Sequence, residues 1–311
     1  MAFRYVEIGQ RLKAYRMGSG LSAEEIAKRL GISRTALYRF ERGELAKIET
    51  LERLAELLGV STPTLLGVGI EYIPSAVSYF ERMRQIEEAT EHIFMLSGPI
   101  SFLLASDNFH AALSDVLSEN ITNTAADRAK ALSDVPKIID ILSERKELYR
   151  RRRPTVVNLM SVFEVERFLD HGFVGRKDLP LDVLSARRSL ARKEISYFAR
   201  LLEDQPMGIQ IGLVPDTLPH YSFQLFRQSD RKVLVLSPFR LGGEPNVRVG
   251  VAMITSAPDA ISLHEKVVEE MWTRALKGQQ AADCLKRLLD ASAPVAAATP
   301  AAPRRRRRPN S

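Results

Sequence analysis

The chain has 311 residues, 45 % of them hydrophobic and 27 % charged, which excludes wholesale disorder or a collagen-like fibre and allows about two domains with a sizeable core. The formal charge of +7 points to a polyanionic partner, but its distribution is uneven: Arg304–Arg308 supply five charges, residues 1–70 carry 11 Lys/Arg against 8 Asp/Glu (+3), and the remainder sums to −1. The single cysteine, Cys284, excludes an internal disulfide framework and a multi-cysteine zinc site and suits a reducing cytoplasm; MAFRYVEIGQ lacks the apolar core of a signal peptide, and the longest apolar stretch, 93–105, is too short to span a bilayer.

From the N-terminus, Val6, Ile8, Leu12 and Tyr15 recur at helical spacing and predict a first helix. Ser22-Ala-Glu-Glu25 is a capping box that starts a second, with Ile26, Ala27 and Leu30 as its buried face. Gly31 ends it, because glycine tolerates the left-handed conformation of a helix C-terminus. Ser33 caps a third helix that runs to about Arg42, with Leu37 and Phe40 inward. A fourth carries Ile48, Leu51, Leu54, Ala55 and Leu58 on one face, with Gly59 after its end. Ser61-Thr-Pro63 starts a short fifth, and Gly67-Val-Gly69 reads as a hinge.

Residues 71–150 read as mostly helical, with a short strand at Ile93–Leu96. Thr155–Met160 is a strand, and 162–170 and 181–203 have helical spacing. The period then changes to short runs rich in Ile, Val, Phe and Leu at 208–214, 221–227, 232–236 and 247–255, with Gln228-Ser-Asp230 as a hairpin signal. Helical spacing returns over 257–277 and 283–289. This is an α/β pattern. Ile209, Ile211, Leu213, Phe223, Leu225, Val233, Val235 and Val251 are expected to form its core face. Residues 291–311, Ala/Pro-rich and closing on five arginines, have no face to bury and are expected to be disordered.

Two short capped helices joined by a glycine turn describe a helix-turn-helix over residues 21–43. Residues 8–67 resemble the helix-turn-helix domain of the Cro/C1 (XRE) repressor family, through Leu21, Ala27, Gly31, Ser33, Glu41-Arg-Gly43 and the run from Leu51 to Gly59 ahead of Val60. The resemblance covers about a fifth of the chain. Glu44-Leu-Ala-Lys47 departs from it, since members often carry a proline there, so the loop before the fourth helix is expected to differ. The resemblance implies an all-α, five-helix, lambda-repressor-like DNA-binding domain whose third helix enters the major groove of double-stranded DNA.

Ser33 leaves the first turn of that helix free to face DNA. Arg34, Thr35, Tyr38 and Arg39 point outward. Arginine reads guanine through N7 and O6, while Thr35 and Tyr38 suit a thymine methyl or a phosphate. Backbone amides at Ser22 and Ala23 suit a phosphate, and Arg42 and Lys47 flank the site as holders of the DNA backbone. The bland alternative for each arginine is a solvated surface position.

The division read from the sequence is a helix-turn-helix domain at 1–69, an α/β dimerisation or effector-sensing domain at 70–290, and a tail at 291–311. The α/β part is weakly similar to the phospholipase D-like fold. The catalytic form of that fold carries His-x-Lys with an Asp beyond; His264-Glu-Lys266 is the sole such pair and Met271 stands at the Asp position. No GxGxxG, Walker A loop or HExxH occurs, so neither an enzyme nor a cofactor is expected. Tyr149-Arg-Arg-Arg-Arg-Pro154 reads as a solvated joint before a phosphate site, and Arg304–Arg308 as a source of nonspecific DNA affinity or a solubilising tail.

The expectation is a cytoplasmic, nucleoid-associated, sequence-specific transcriptional regulator, a homodimer on an inverted repeat, with a small-molecule or protein effector and no membrane partner. The alternatives are an antitoxin- or phage-type repressor with a protein partner, and a DNA-targeted phosphodiesterase.

Overall fold

The computed structural model describes residues 5–44, 46–96, 98–121, 128–215 and 221–292. The N-terminal helices are α1 (Tyr5–Ser19), α2 (Ala23–Leu30), α3 (Arg34–Glu41), α4 (Ile48–Leu58) and α5 (Thr62–Leu66). Their boundaries follow from local chemistry. The Ser22 hydroxyl accepts the Glu25 amide at 3.1 Å while the Glu25 carboxylate accepts the Ser22 amide at 2.8 Å. Gly31 closes α2 at φ 68°, in the left-handed region that glycine enters without a steric cost. Ser33 and Ser61 cap α3 and α5 in the same serine manner.

The α/β part follows as β1 (Glu71–Ile73), α6 (Ala76–Glu87), β2 (Thr90–Leu96), α7 (Asp107–Glu119), α8 (Arg128–Arg152), β3 (Thr155–Ser161), α9 (Val162–His171), α10 (Leu181–Asp204), β4 (Ile209–Val214), β5 (Ser222–Gln228), β6 (Lys232–Ser237), β7 (Ala252–Thr255), α11 (Pro258–Arg274), β8 (Leu276–Lys277) and α12 (Gly278–Ala291). The strands form one sheet in the order β1-β7-β6-β5-β2-β3-β4-β8. β2, β3 and β4 run parallel, joined through helices, and the other pairings are antiparallel. β5 and β6 form the hairpin signalled by Gln228-Ser-Asp230.

Each face of the sheet buries its own apolar set, because successive side chains of a strand point to opposite sides. Ile93, Met95, Val156, Ile211, Leu213, Val233 and Val235 join the core that includes residues of α6, α8, α9, α10 and α12. Leu96, Leu159, Phe223, Leu225 and Leu234 pack with Ile261, Val268 and Met271 of α11 on the other side. The apolar face expected from the sequence is therefore two faces: Phe223 and Leu225 belong with α11, away from Ile211 and Val233. Val251 belongs to neither and is 51 % exposed. The strand expected over 247–255 shortens to Ala252–Thr255, the part that finds a partner in β6. The helix expected through Lys277 ends at Arg274, and β8 then pairs with β4.

α6 holds the two parts together. All of its residues except Arg84 are buried, although Glu81, Arg82 and Glu87 are among them. A buried charge is tolerated only when paired. Arg82 pairs with Glu71 of β1, Glu81 with Lys13 of α1 and with Arg84, and Glu87 with Arg145 of α8. The hydrophobic core runs without a break from Leu12 and Leu37 through Val77 and Phe80 to the sheet. Gly67 caps α5 at φ 73°, and β1 begins four residues later. Of the tail expected at 291–311, Ala291 ends α12 and Ser292 accepts a bond from Arg192 at 2.8 Å; residues 293–311, with Arg304–Arg308, lie outside the described residues.

Candidate nucleic-acid interface

α3 lies across the end of α2 with one face buried and one open. Leu37 is fully buried and Phe40 packs partly against the same core. Arg34, Thr35, Tyr38, Arg39 and Arg42 are all exposed, at spacings that bring them to one side of a helix. α1 crosses the C-terminal end of α3 closely. A Cβ on Gly9 would stand 2.5 Å from the carbonyl oxygens of Phe40 and Glu41, so only glycine permits this approach. That contact fixes the angle at which α3 projects.

The Ser33 hydroxyl accepts the Ala36 amide at 3.0 Å, so it is committed to capping while the side chains of the first turn stay free. Ser22 is exposed, but its amide is taken by Glu25, whose carboxyl is held below the usual carboxylate range by bonds from the Ser22 amide and hydroxyl. The side chain of Ala23 is buried, which leaves its amide as the group that can face a phosphate. Lys47 is exposed at the entry to α4, where it makes no side-chain cap bond. Five of the nine expected residues thus share the open face of α3, three stand at helix starts, and Ser33 serves as its cap.

Two further residues enter the site that sequence reasoning did not place there. Glu44 accepts from Arg39 Nε at 2.6 Å, and the pair raises the arginine and lowers the carboxyl by a charge-assisted bond. A base contact by Arg39 would require it to leave this partner. A Glu five residues after an Arg, across a predicted turn, was the available signal. Arg16 of α1 lies over the Tyr38 ring, 5.8 Å from its centroid, and is bonded to Glu41 by both Nε and Nη2. Tyr38 is thereby stacked at the edge of the open face.

The comparison with known proteins falls on this unit. Residues 7–66 match the family described as a helix-turn-helix domain. The N-terminal unit is a helix-turn-helix of the Cro/C1 type. Beyond it, a Pyrococcus abyssi protein named an HTH-type transcriptional regulatory protein is 27 % identical over 171 residues, 51 % of this chain and 53 % of its own length. SinR of Bacillus subtilis, named an HTH-type transcriptional regulator, is 39 % identical over 61 residues, 19 % of this chain and 55 % of its own. The chain therefore spans about half the length of these relatives. The Pyrococcus match is too long for the helix-turn-helix alone and so includes part of the α/β region.

The remaining sequence motifs do not gather at this interface. His264 sits in α11 with Nδ1 bonded to its own turn, the Ala260 carbonyl, at 2.8 Å, and its ring meets Phe223 edge-on at 4.9 Å. Lys266 is exposed. Two residues apart on a helix, they do not face each other. Arg150 pairs with Asp107 and Glu147, while Arg151, Arg152 and Arg153 are exposed at the end of α8. No helix among the described residues is long and apolar enough to cross a membrane.

Proposed function

We propose that the protein is a sequence-specific transcriptional regulator of the cytoplasm and nucleoid, with α3 in the major groove of double-stranded DNA. The observation that carries this reading is the open face of α3: Arg34, Thr35, Tyr38, Arg39 and Arg42 project from a helix whose other side is anchored by Leu37 and by the Gly9 crossing. Arg34 and Arg39 read guanine, Thr35 and Tyr38 contact thymine methyls or phosphates, and Arg42, Lys47 and the amide of Ala23 hold the backbone, the Ser22 amide being committed to Glu25. One such module has a small interface. A homodimer on an inverted repeat, with half-sites about 34–36 Å apart, supplies the missing affinity. The α/β domain then serves dimerisation and effector sensing without catalysis, and its weak phospholipase D-like similarity concerns the fold alone.

The test is selection of bound duplexes by the full chain, followed by binding of Arg39→Ala. The variant is expected to lose about 1–3 kcal/mol on the selected site and little on random duplex. Equal weakening on both would remove Arg39 as a reader. Failure to select any sequence would overturn the regulator.

A further inference from the structure

The centre of the sheet carries a polar strip that DNA reading does not use. Asn158, Met95, Gln224 and Val235 are direct neighbours across β3, β2, β5 and β6, so their side chains share one face, the one packed against α6 and α8. Asn158 is fully buried, yet neither atom of its amide has a partner among the described residues, and the same is true of Gln224 Oε1. An apolar residue would serve a packed core better there, because an unmade buried hydrogen bond carries the full desolvation penalty.

A cavity of about 60 Å³ opens beside Gln224 and Met95, walled by Tyr79, Phe80, Phe102 and Phe239. Two arginines line it. Arg145 is buried, lies over the Phe80 and Phe102 rings at 5.7 and 5.6 Å, and donates Nε and Nη2 to the two oxygens of Glu87 at 3.0 and 2.7 Å. That pair is neutral overall, and Nη1 carries no bond among the described residues. Arg240 is half-buried and its guanidinium has no partner among them. The site therefore bears one net positive charge beside an amide, under aromatic walls. It lies where β2 ends and β5 begins, the place at which the parallel strands continue to one side and the antiparallel strands to the other. Open α/β sheets bind ligands at such reversals, beyond the carboxyl ends of parallel strands.

We propose that this cavity binds the carboxylate of a small organic acid with an apolar body. Arg240 and the free nitrogen of Arg145 take the carboxylate, Gln224 donates its Nε2 beside it, and the apolar body lies along Phe102 and Phe239 toward the mouth. One positive charge suits a monoanion, and about 60 Å³, roughly two waters of liquid volume, holds a carboxylate head and leaves the apolar body at the mouth. The biological sense rests on the regulator reading above. Tyr79 and Phe80 belong to α6, and α6 carries α1 of the DNA-binding unit through Glu81–Lys13 and through Arg82–Glu71–Arg11, so occupancy of the cavity acts on the helix that seats the reader.

The experiment is thermal unfolding of the full chain at constant ionic strength with benzoate and acetate, against benzyl alcohol and inorganic phosphate, with DNA binding followed in parallel. Benzoate is expected to raise Tm saturably, by about 2–4 °C at about tenfold over its Kd, and benzyl alcohol and phosphate to leave it unchanged. Arg240→Met is expected to keep the ligand-free transition and lose the rise. No saturable rise with either carboxylate, an equal rise in Arg240→Met, or an equal rise with benzyl alcohol or phosphate would overturn the proposal. DNA binding without a benzoate response refutes the cavity alone, and a benzoate response without DNA binding refutes the regulator alone.

Discussion

Glu71 is the joint between the DNA-binding unit and the sheet, and Glu71→Gln tests what that joint contributes. Its carboxylate is buried, accepts Arg82 Nε at 2.7 Å and Nη2 at 3.0 Å, and accepts Arg11 Nε at 3.1 Å. Tyr15 adds a longer bond at 3.4 Å. Burial alone would raise the acid, but the two guanidinium groups outweigh it and hold the carboxyl below its usual range. The amide that replaces the carboxylate would keep the volume and some hydrogen bonds, and would leave two buried guanidinium groups facing each other with no counter-charge from this position. Breaking a buried pair in this way costs about 3–5 kcal/mol, or about 5–8 °C in the transition of a chain of this length. Denaturant unfolding measures the loss. A second substitution, Arg82→Leu, placed in the Glu71→Gln background is expected to return part of it, because it removes one of the stranded charges. A loss under about 1 kcal/mol in the single variant, or strict additivity in the double, would refute the claim that charge compensation fixes the joint. The same reasoning sets the acid limb: stability from Glu71 is present above the unfolded carboxylate pKa and is lost as pH falls through the depressed folded value.

Ser33→Ala removes the hydroxyl that accepts the Ala36 amide and is expected to cost about 1 kcal/mol, read as a lower denaturation midpoint at unchanged slope; no shift would mean that another group caps α3. Lys146 is buried with its ammonium donating to the carbonyls of Phe102, Leu103 and Ala105, and burial, helped by Arg150, pushes it down to about 8. Because the folded chain then holds fewer protons on this group than the unfolded one, stability is expected to rise from about pH 8 to about 10.5. Lys146→Met should flatten that limb in denaturation midpoints taken across the range; an identical limb in the variant would remove Lys146 as its source.

The helix-turn-helix was legible because its instructions are local. Ser22, Glu25, Gly31 and Ser33 act on backbone groups within three or four residues, so spacing and residue type suffice to place α2 and α3 and to predict which side of α3 is buried. The Gly9 crossing and the Arg16–Tyr38 stack were not legible, because each depends on how α1 lies across α3. In the α/β part, long apolar runs such as 155–161 and 209–214 announced themselves. β1 and β8, of three and two residues, exist only because β7 and β4 offer them unpaired edges. Val247–Gly250 has the composition of a strand and no strand partner, which is why β7 begins at Ala252.

What the sequence determined by itself is the helix-turn-helix: a capped pair of helices, the turn between them, and a row of polar side chains with nothing to bury them. What only the tertiary structure decided is the environment of residues 76–87. Ser-Tyr-Phe-Glu-Arg-Met-Arg-Gln carries three charged side chains, and yet all of it except Arg84 is buried. Its charges are tolerated inside because Lys13, Glu71 and Arg145 arrive from α1, β1 and α8 to neutralise them. Such pairings span long stretches of chain, and hydrophobic period carries no record of which distant charge will stand opposite.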